Sequence, residues 1–238
     1  NEKIDVNKEE IGIGATPFYI ACQNGHIEIV KLLLNDKRID VNKTNKDGET
    51  PFWIACYSRY LCYPRYLELV KLLLNNQRVD INQPNKNGET PFYIACQLYN
   101  GRKIVKLLLS DERVDINQAN KDGETPFYAA CYNGHLGIVE MLLNDQRIER
   151  NQTTKNGQTP FYIACQNGYV RIMGLLIGNQ NIKRIGINDL NEVDIENRTP
   201  LYIACENGRI EIVELLLNTK QVNINQPNKD GATPLFIA

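Results

Sequence analysis

Little in this sequence belongs to the usual equipment of catalysis or metal binding. Histidine occurs only as His26 and His135, and tryptophan only once. The seven cysteines are an odd set with no C-x-x-C pair among them, so neither a disulfide framework nor a zinc cluster is spelled out. No Gly-Lys-Ser/Thr phosphate loop and no nucleophile elbow appears. Nor is one charge in excess. With 27 Lys+Arg against 28 Asp+Glu the formal charge is −1, which speaks against a sequence-independent grip on nucleic acid or an anionic membrane. Apolar runs stay well short of the roughly 18 residues that a membrane span needs. Together these absences predict a monomeric cytoplasmic protein that is not an enzyme, takes no cofactor or metal, and neither enters a membrane nor binds nucleic acid.

What is present is an ordinary globular balance, 42% hydrophobic and 23% charged, with a marked enrichment in Asn. Asn-x-Thr matches at Asn42, Asn151 and Asn197 read as products of that enrichment. The decisive feature is self-similarity. A Thr-Pro pair ends at Pro17, Pro51, Pro91, Pro126, Pro160, Pro200 and Pro234, at intervals of 34, 40, 35, 34, 40 and 34 residues. Each pair opens a block like residues 16–34. Each block closes with a form of Ile39-Asp40-Val41-Asn42 and a turn like Asn45-Lys46-Asp47-Gly48. The units open near 16, 50, 90, 125, 159 and 199, with a partial one at 233.

Elementary chemistry assigns each piece. Thr16 is a good helix N-cap, and Pro17 suits the first helical position, where a missing N–H costs nothing. A short helix should run from Pro17 to about Asn24 and stop at Gly25, which accepts the left-handed conformation. A second helix follows, with Ile27, Val30 and Leu34 spaced for one face and Ile29, Leu32 and Leu33 broadening it. The Asn-Lys-Asp-Gly segments favour tight turns. A first helix of about eight residues is below the roughly 12–15 needed for marginal stability alone. Stability must therefore come from neighbour-on-neighbour stacking.

This unit resembles the ankyrin repeat, through Thr-Pro, the Ala that follows, Gly25-His26, the Leu32-Leu33-Leu34 run and the closing Asn. The resemblance covers essentially the whole chain. It implies an all-α solenoid of stacked helix-turn-helix units with projecting β-hairpin fingers, one elongated array over 1–238 that is expected to be a fragment of a longer one. It also implies a protein–protein interaction scaffold. Departures are systematic: Phe replaces Leu at Phe18, Phe52, Phe92, Phe127 and Phe161. Aromatic residues stand where the family has His, at Tyr19, Trp53, Tyr93, Tyr128, Tyr162, Tyr202 and Phe236, so the family's Thr–His hydrogen bond must be rearranged. Asn42, Asn82 and Asn117 resemble the asparagine that hydroxylases modify in some ankyrin proteins, and read here as structural.

Several columns invite a functional reading. Cys22, Cys56, Cys96, Cys131, Cys165 and Cys205 share one repeat position and read as small buried hydrophobes, whereas Cys62 lies outside the pattern. The aromatic column reads as packing between repeats, with each phenol oxygen reaching a polar edge. Lys46, Lys86, Lys121 and Lys155 form a ladder of finger-tip cations that an acidic partner could use, although Asp47, Asp122, Glu49, Glu89 and Glu124 lie beside them and dilute the field.

Two departures from the period are more informative. Six extra residues fall in the turn between the helices of the second unit, compared with the first. That stretch contains Tyr57, Arg59, Tyr60, Tyr63, Arg65 and Tyr66, residue types enriched at binding hot spots. Tyr99 and Tyr132 occupy the matching region of the next two units. These residues and the lysine ladder are the candidate partner-binding set, with Gln23, Gln97 and Gln166 on the same concave face. The second departure lies between Ile177 and Pro200, where the finger loses its Lys and Gly. With Gly174 and Gly178 in the helix before it, this stretch should be the softest of the array. A partner protein is thus the leading expectation. A spacer in a membrane- or cytoskeleton-associated protein, or the targeting arm of an enzyme, are the alternatives.

Overall fold

The computed structural model describes residues 5–57, 64–178 and 189–238. The chain forms two compact units, Asn1–Lys121 and Asp122–Ala238. Among the described residues the regular elements are all helical.

In the first unit, helix pairs follow one another as α1 (Pro17–Gln23) and α2 (Ile27–Asn35), α3 (Pro51–Tyr57) and α4 (Pro64–Leu74), α5 (Pro91–Gln97) and α6 (Arg102–Leu109). Helices α1, α3 and α5 pack in one layer and α2, α4 and α6 in the other. The second unit repeats the plan with α7 (Pro126–Tyr132) and α8 (Leu136–Leu143), α9 (Pro160–Asn167) and α10 (Val170–Gly178), then α11 (Pro200–Glu206), α12 (Ile210–Asn218) and the short α13 (Pro234–Ile237). A single 3-10 turn, Asp189–Asn191, precedes α11.

Each first helix starts as its sequence dictates. The hydroxyl oxygen of Thr16 accepts from the backbone N–H of Tyr19 at 3.1 Å, and Thr90 and Thr159 do the same for Tyr93 and Tyr162 at 3.0 Å. Pro follows at the first helical position. Helix α1 ends before Gly25, whose φ of +66° turns the chain back toward α2. Helix α4 is two residues longer than α2 because the last part of the insertion, from Pro64, is already helical.

The phenylalanines expected to replace Leu lie at the bottom of the first-helix layer: Phe18, Phe52, Phe92, Phe127 and Phe161 are all buried. Burying each such ring contributes about 1.5–3 kcal/mol. Packing is set by neighbours. Leu69 and Ile104 are fully buried beneath the second helix of the repeat before them, whereas their counterpart Ile29 in α2 is 48% exposed. The cysteine column is buried at Cys22, Cys56, Cys96, Cys131 and Cys165, and intermediate at Cys205. Burial pushes these thiols above their ordinary value, so they stay protonated and inert. Cys62 lies outside the described residues.

The fingers differ from the β-hairpins expected. Each is a single tight turn: Asn85 N–H donates to the Glu89 carbonyl at 3.0 Å and Gly88 N–H to the Asn85 carbonyl at 2.9 Å. Successive fingers share one such bond, from Lys86 N–H to the Asp47 carbonyl at 2.9 Å and from Lys121 N–H to the Asn87 carbonyl at 2.8 Å. One bond per neighbour is too few for a strand ladder. Deeper in the same connection the closing asparagines couple repeats. Asn42 donates to the Arg78 carbonyl at 2.8 Å and accepts from Asp80 N–H at 2.8 Å, and Asn82 bridges to Arg113 and Asp115 in the same way. That is the structural role expected of them. Arg113 adds a bond to the carbonyl of Leu74 at 2.7 Å, capping α4.

Residues 179–188, most of the second departure from the period, lie outside the described residues. The helix before it does carry the expected defect. A Cβ built on Gly174, an exposed residue inside α10, meets nothing within 4 Å. Gly174→Ala should therefore stabilise the protein by about 1 kcal/mol, read as a higher midpoint in urea unfolding. An unchanged or lower midpoint would mean that α10 is not limited by its glycine.

Candidate protein-binding groove

In the first unit, the inner flanks of two fingers and the ends of α3 and α5 enclose a cavity of about 330 Å³. The local folding of the fingers decides which groups face it. The Asn45 side-chain oxygen accepts from the backbone N–H groups of Asp47 and Glu49, both at 2.9 Å. Its amide nitrogen donates to Glu49 Oε2 at 2.7 Å and to the Tyr19 hydroxyl at 3.1 Å. Tyr19 in turn donates to the same carboxylate oxygen at 2.8 Å. Burial, with Glu49 next to it, pushes the Tyr19 phenol far above its ordinary value, so the ring oxygen remains a donor. Asn85 holds Glu89 in the same manner, with Nδ2 donating to Oε2 at 2.7 Å.

The phenol-to-finger link recurs in the aromatic column. Tyr93 accepts from Asn120 at 3.3 Å, Tyr128 donates to Gln158 at 3.0 Å, and Tyr202 accepts from Asn228 at 3.2 Å. This is how the family's Thr–His bond is rearranged: the Thr oxygen caps the helix, and the aromatic tip reaches the next finger. Trp53 makes the link with its indole N–H, which donates to the Glu89 carbonyl at 2.9 Å. Its ring is buried against Tyr57, one helical turn on, with centroids 5.0 Å apart at 35°. Tyr57 is half-buried, with its free edge at the cavity mouth.

The cavity wall carries the carboxylates of Asp47, Glu49 and Glu89 against the single ammonium of Lys86, with Asn85, Asn87 and Gln97 as neutral polar groups and Ile94 as apolar floor. No ion pair among the described residues neutralises any of those carboxylates, and the Oε1 atoms of Glu49 and Glu89 accept no hydrogen bond there. The second unit keeps the glutamate only in its first finger, at Glu124. Gln158 and Arg198 stand where Glu49 and Glu89 do, and Arg198 is engaged with Asp194 at 2.7 Å and Glu206 at 3.5 Å.

The candidate residues are dispersed. Tyr57, Lys86 and Gln97 come together in the cavity. Lys46 does not join them, because its ammonium donates to the carbonyls of Ile11 at 2.8 Å and Gly12 at 2.7 Å. Lys121 and Lys155 are exposed, each at its own finger tip. Tyr99 is 91% exposed after α5, and Tyr132 is half-exposed in the second unit, stacked on Tyr128 with centroids 6.3 Å apart. Arg65 is exposed in the first turn of α4, with its guanidinium 5.2 Å from the Tyr66 ring centre. Tyr66 itself corrects the expectation of a surface residue: it is 1% exposed, and its hydroxyl donates to the Gln23 carbonyl at 3.1 Å. Its ring fills the space over Gly25, so it joins two repeats instead of facing a partner. Arg59, Tyr60 and Tyr63 lie outside the described residues. Among the described residues, no cluster of His, Cys, Asp or Glu could hold a metal ion, and no helix is long and apolar enough to cross a membrane.

Paired short helices joined by tight finger turns define a helical repeat protein. The family model for ankyrin repeats matches residues 2–67, 60–153, 98–189 and 180–238, and the chain belongs to the ankyrin-repeat family, whose repeats generally mediate protein–protein interaction. Among solved structures it is similar to the ankyrin repeat domain of Bcl-3, a member of the IkappaB protein family, at 21% identity and a TM-score of 0.76, covering 95% of each chain. That likeness bears on the fold alone. No curated protein matches the sequence.

Proposed function

We propose that this chain is a protein–protein interaction scaffold of the cytoplasm whose first unit holds a segment of its partner in the groove between the finger tips and the ends of α3 and α5. The single observation that carries this reading is the cavity, where an aromatic edge and unneutralised polar groups converge. Binding surfaces favour that mixture, because a Tyr ring supplies area while polar groups set orientation. The acid surplus also disfavours a nucleic-acid backbone. The Tyr/Arg-rich segment after Tyr57 supports the same reading by its composition, and Arg65, Tyr99 and Tyr132 are further contact candidates. Buried, protonated thiols suit a reducing compartment.

The test is a random-peptide display library selected on the whole chain. Retained peptides should bind Tyr57→Ala at least about ten-fold more weakly, as for a hot-spot tyrosine, and bind Lys103→Ala, on the outer helix α6, as they bind the wild type. Lys103→Ala should melt with the parent, and Tyr57→Ala should melt lower by the loss of its packing on Trp53 while keeping the parent's helical circular dichroism. Failure to retain any peptide, or equal binding to Tyr57→Ala, would remove the groove reading.

A further inference from the structure

We propose that the cavity beside Tyr57 takes a basic side chain of the bound segment, arginine before lysine. This deepens the groove reading above and rests on it. Three features meet here. Asp47, Glu49 and Glu89 outnumber the one ammonium on the wall, Lys86. The Oε2 atoms of both glutamates are spent on the finger asparagines, at 2.7 Å each, so the backbone turns fix the carboxylates in place while Oε1 stays available. The exposed edge of Tyr57, backed by Trp53 at 5.0 Å, gives a flat apolar surface to one side.

A cation entering this space would exchange water for carboxylate oxygens that are already oriented, so little ordering is left to cost affinity. Arginine fits better than lysine because its planar guanidinium can lie on an aromatic ring and still present several in-plane donors to separate acceptors. Charge and the aromatic pair together set this place apart from its equivalents. The finger position occupied by Glu49 and Glu89 is Glu124 in the next finger and becomes Gln158, Arg198 and Ala232 farther on, and Arg198 is already held by Asp194 and Glu206. Of the two consecutive glutamate pairs, Glu49–Glu89 has the aromatic pair Trp53 and Tyr57 one turn apart in the helix between them, whereas Glu89–Glu124 has Tyr93 and Gln97.

The sole tryptophan of the chain, Trp53, lines the cavity, so its emission reports occupancy directly. The probes are acetylated pentapeptide amides of alanine whose central residue is arginine, lysine, citrulline or glutamate, titrated into the whole chain. The arginine peptide should change Trp53 emission saturably and bind at least about ten-fold more tightly than the citrulline peptide, which keeps the shape and loses the charge; that ratio is one decade in Kd. Lysine should fall between them, and added salt should weaken the arginine and lysine peptides but not the citrulline peptide. Glu89→Gln, whose amide oxygen can still accept from Asn85, should abolish most of the arginine preference without lowering the melting temperature.

Equal binding of arginine and citrulline, tighter binding of glutamate, or no saturable change up to about 10 mM, beyond the weakest useful affinity, would each overturn the proposal. If library-selected peptides bind through Tyr57 yet carry no basic residue and ignore Glu89→Gln, the groove stands and the basic-side-chain assignment falls. If no peptide binds at all, both fall.

Discussion

Asp194→Ala is expected to cost about 3–5 kcal/mol of unfolding free energy, because it strips a buried charge network of its centre. The residue is 5% exposed. Its Oδ1 accepts from the backbone N–H groups of Glu196 and Arg198, both at 2.9 Å. Its Oδ2 accepts from the Tyr162 hydroxyl at 2.9 Å and from Arg198 Nε at 2.9 Å. Alanine leaves two N–H groups and a buried phenol without an acceptor and leaves the Arg198 guanidinium only Glu206, at 3.5 Å, and orphaned groups of this kind dominate severe losses. Asp194→Asn should recover most of the loss. Asparagine makes the same turn at Asn45, Asn85 and Asn228, so only the ionic part goes, about 1–2 kcal/mol.

The pH dependence follows with a definite sign. Burial alone would raise the Asp194 carboxyl, but the bonds from Arg198 and Tyr162 outweigh it and hold the group below its ordinary value. A lowered folded-state value means stability that is fully present above the unfolded value of about 3.9 and is lost as pH falls through the folded one. Urea midpoints followed by circular dichroism should thus drop in acid more steeply for the wild type than for Asp194→Asn. Parallel acid profiles, or an alanine variant within about 1 kcal/mol of the parent, would show that the network does not carry the finger.

This network was half legible. Reading along the chain, the finger from Asp189 to Asn197 is seen to lose its Lys and Gly, and softness is the natural expectation. The structure shows substitution instead of simple loss. Ile195 takes the Lys position and keeps the backbone bond, donating to the Asn156 carbonyl at 2.9 Å. Asn197 takes the glycine position at a φ of +60°, and Asp194 with Arg198 replaces the Asn–Glu pair. A column shows which position varies, but compensation among positions becomes visible only when side chains meet in space.

The helices and the repeat were legible because each is determined locally: a Thr oxygen three residues from the N–H it caps, a Gly where φ must be positive, a row of Leu one turn apart. The groove was harder for the same reason in reverse. Lys46 and Glu49 sit in one finger and cancel on paper, and the carboxylates were read as diluting the lysines. In space Lys46 turns back to the Ile11 and Gly12 carbonyls, away from the cavity. That removes a cation from the balance and leaves the acids to set the sign. Tyr66 errs the other way: four tyrosines in a short insertion look like surface, yet this one is long enough to reach the Gln23 carbonyl of the preceding repeat and is buried by doing so.

The finger tips supply the second large effect. Gly88→Ala should cost about 3 kcal/mol, with two separable causes. The φ of +82° is costly for any residue with a Cβ, by roughly 1–2 kcal/mol. In addition a Cβ here would lie 2.8 Å from the backbone nitrogen of Lys121 and 3.1 Å from Asn120 Cα and carbonyl carbon. Those are backbone atoms, and the nitrogen is bonded to the Asn87 carbonyl, so relief means loosening the contact between fingers; overpacking of that kind adds about 1–3 kcal/mol. Gly231→Ala separates the two causes, since φ is +84° but nothing lies within 4 Å of the added carbon. It should show the conformational part alone. The chain already contains a milder solution in Asn197, at φ +60° with Nδ2 donating to the Pro227 carbonyl at 2.7 Å, so Gly88→Asn should cost less than Gly88→Ala. If the alanine variants at 88 and 231 lose equal stability in urea unfolding, close approach of neighbouring backbones is not what selects glycine at the tips.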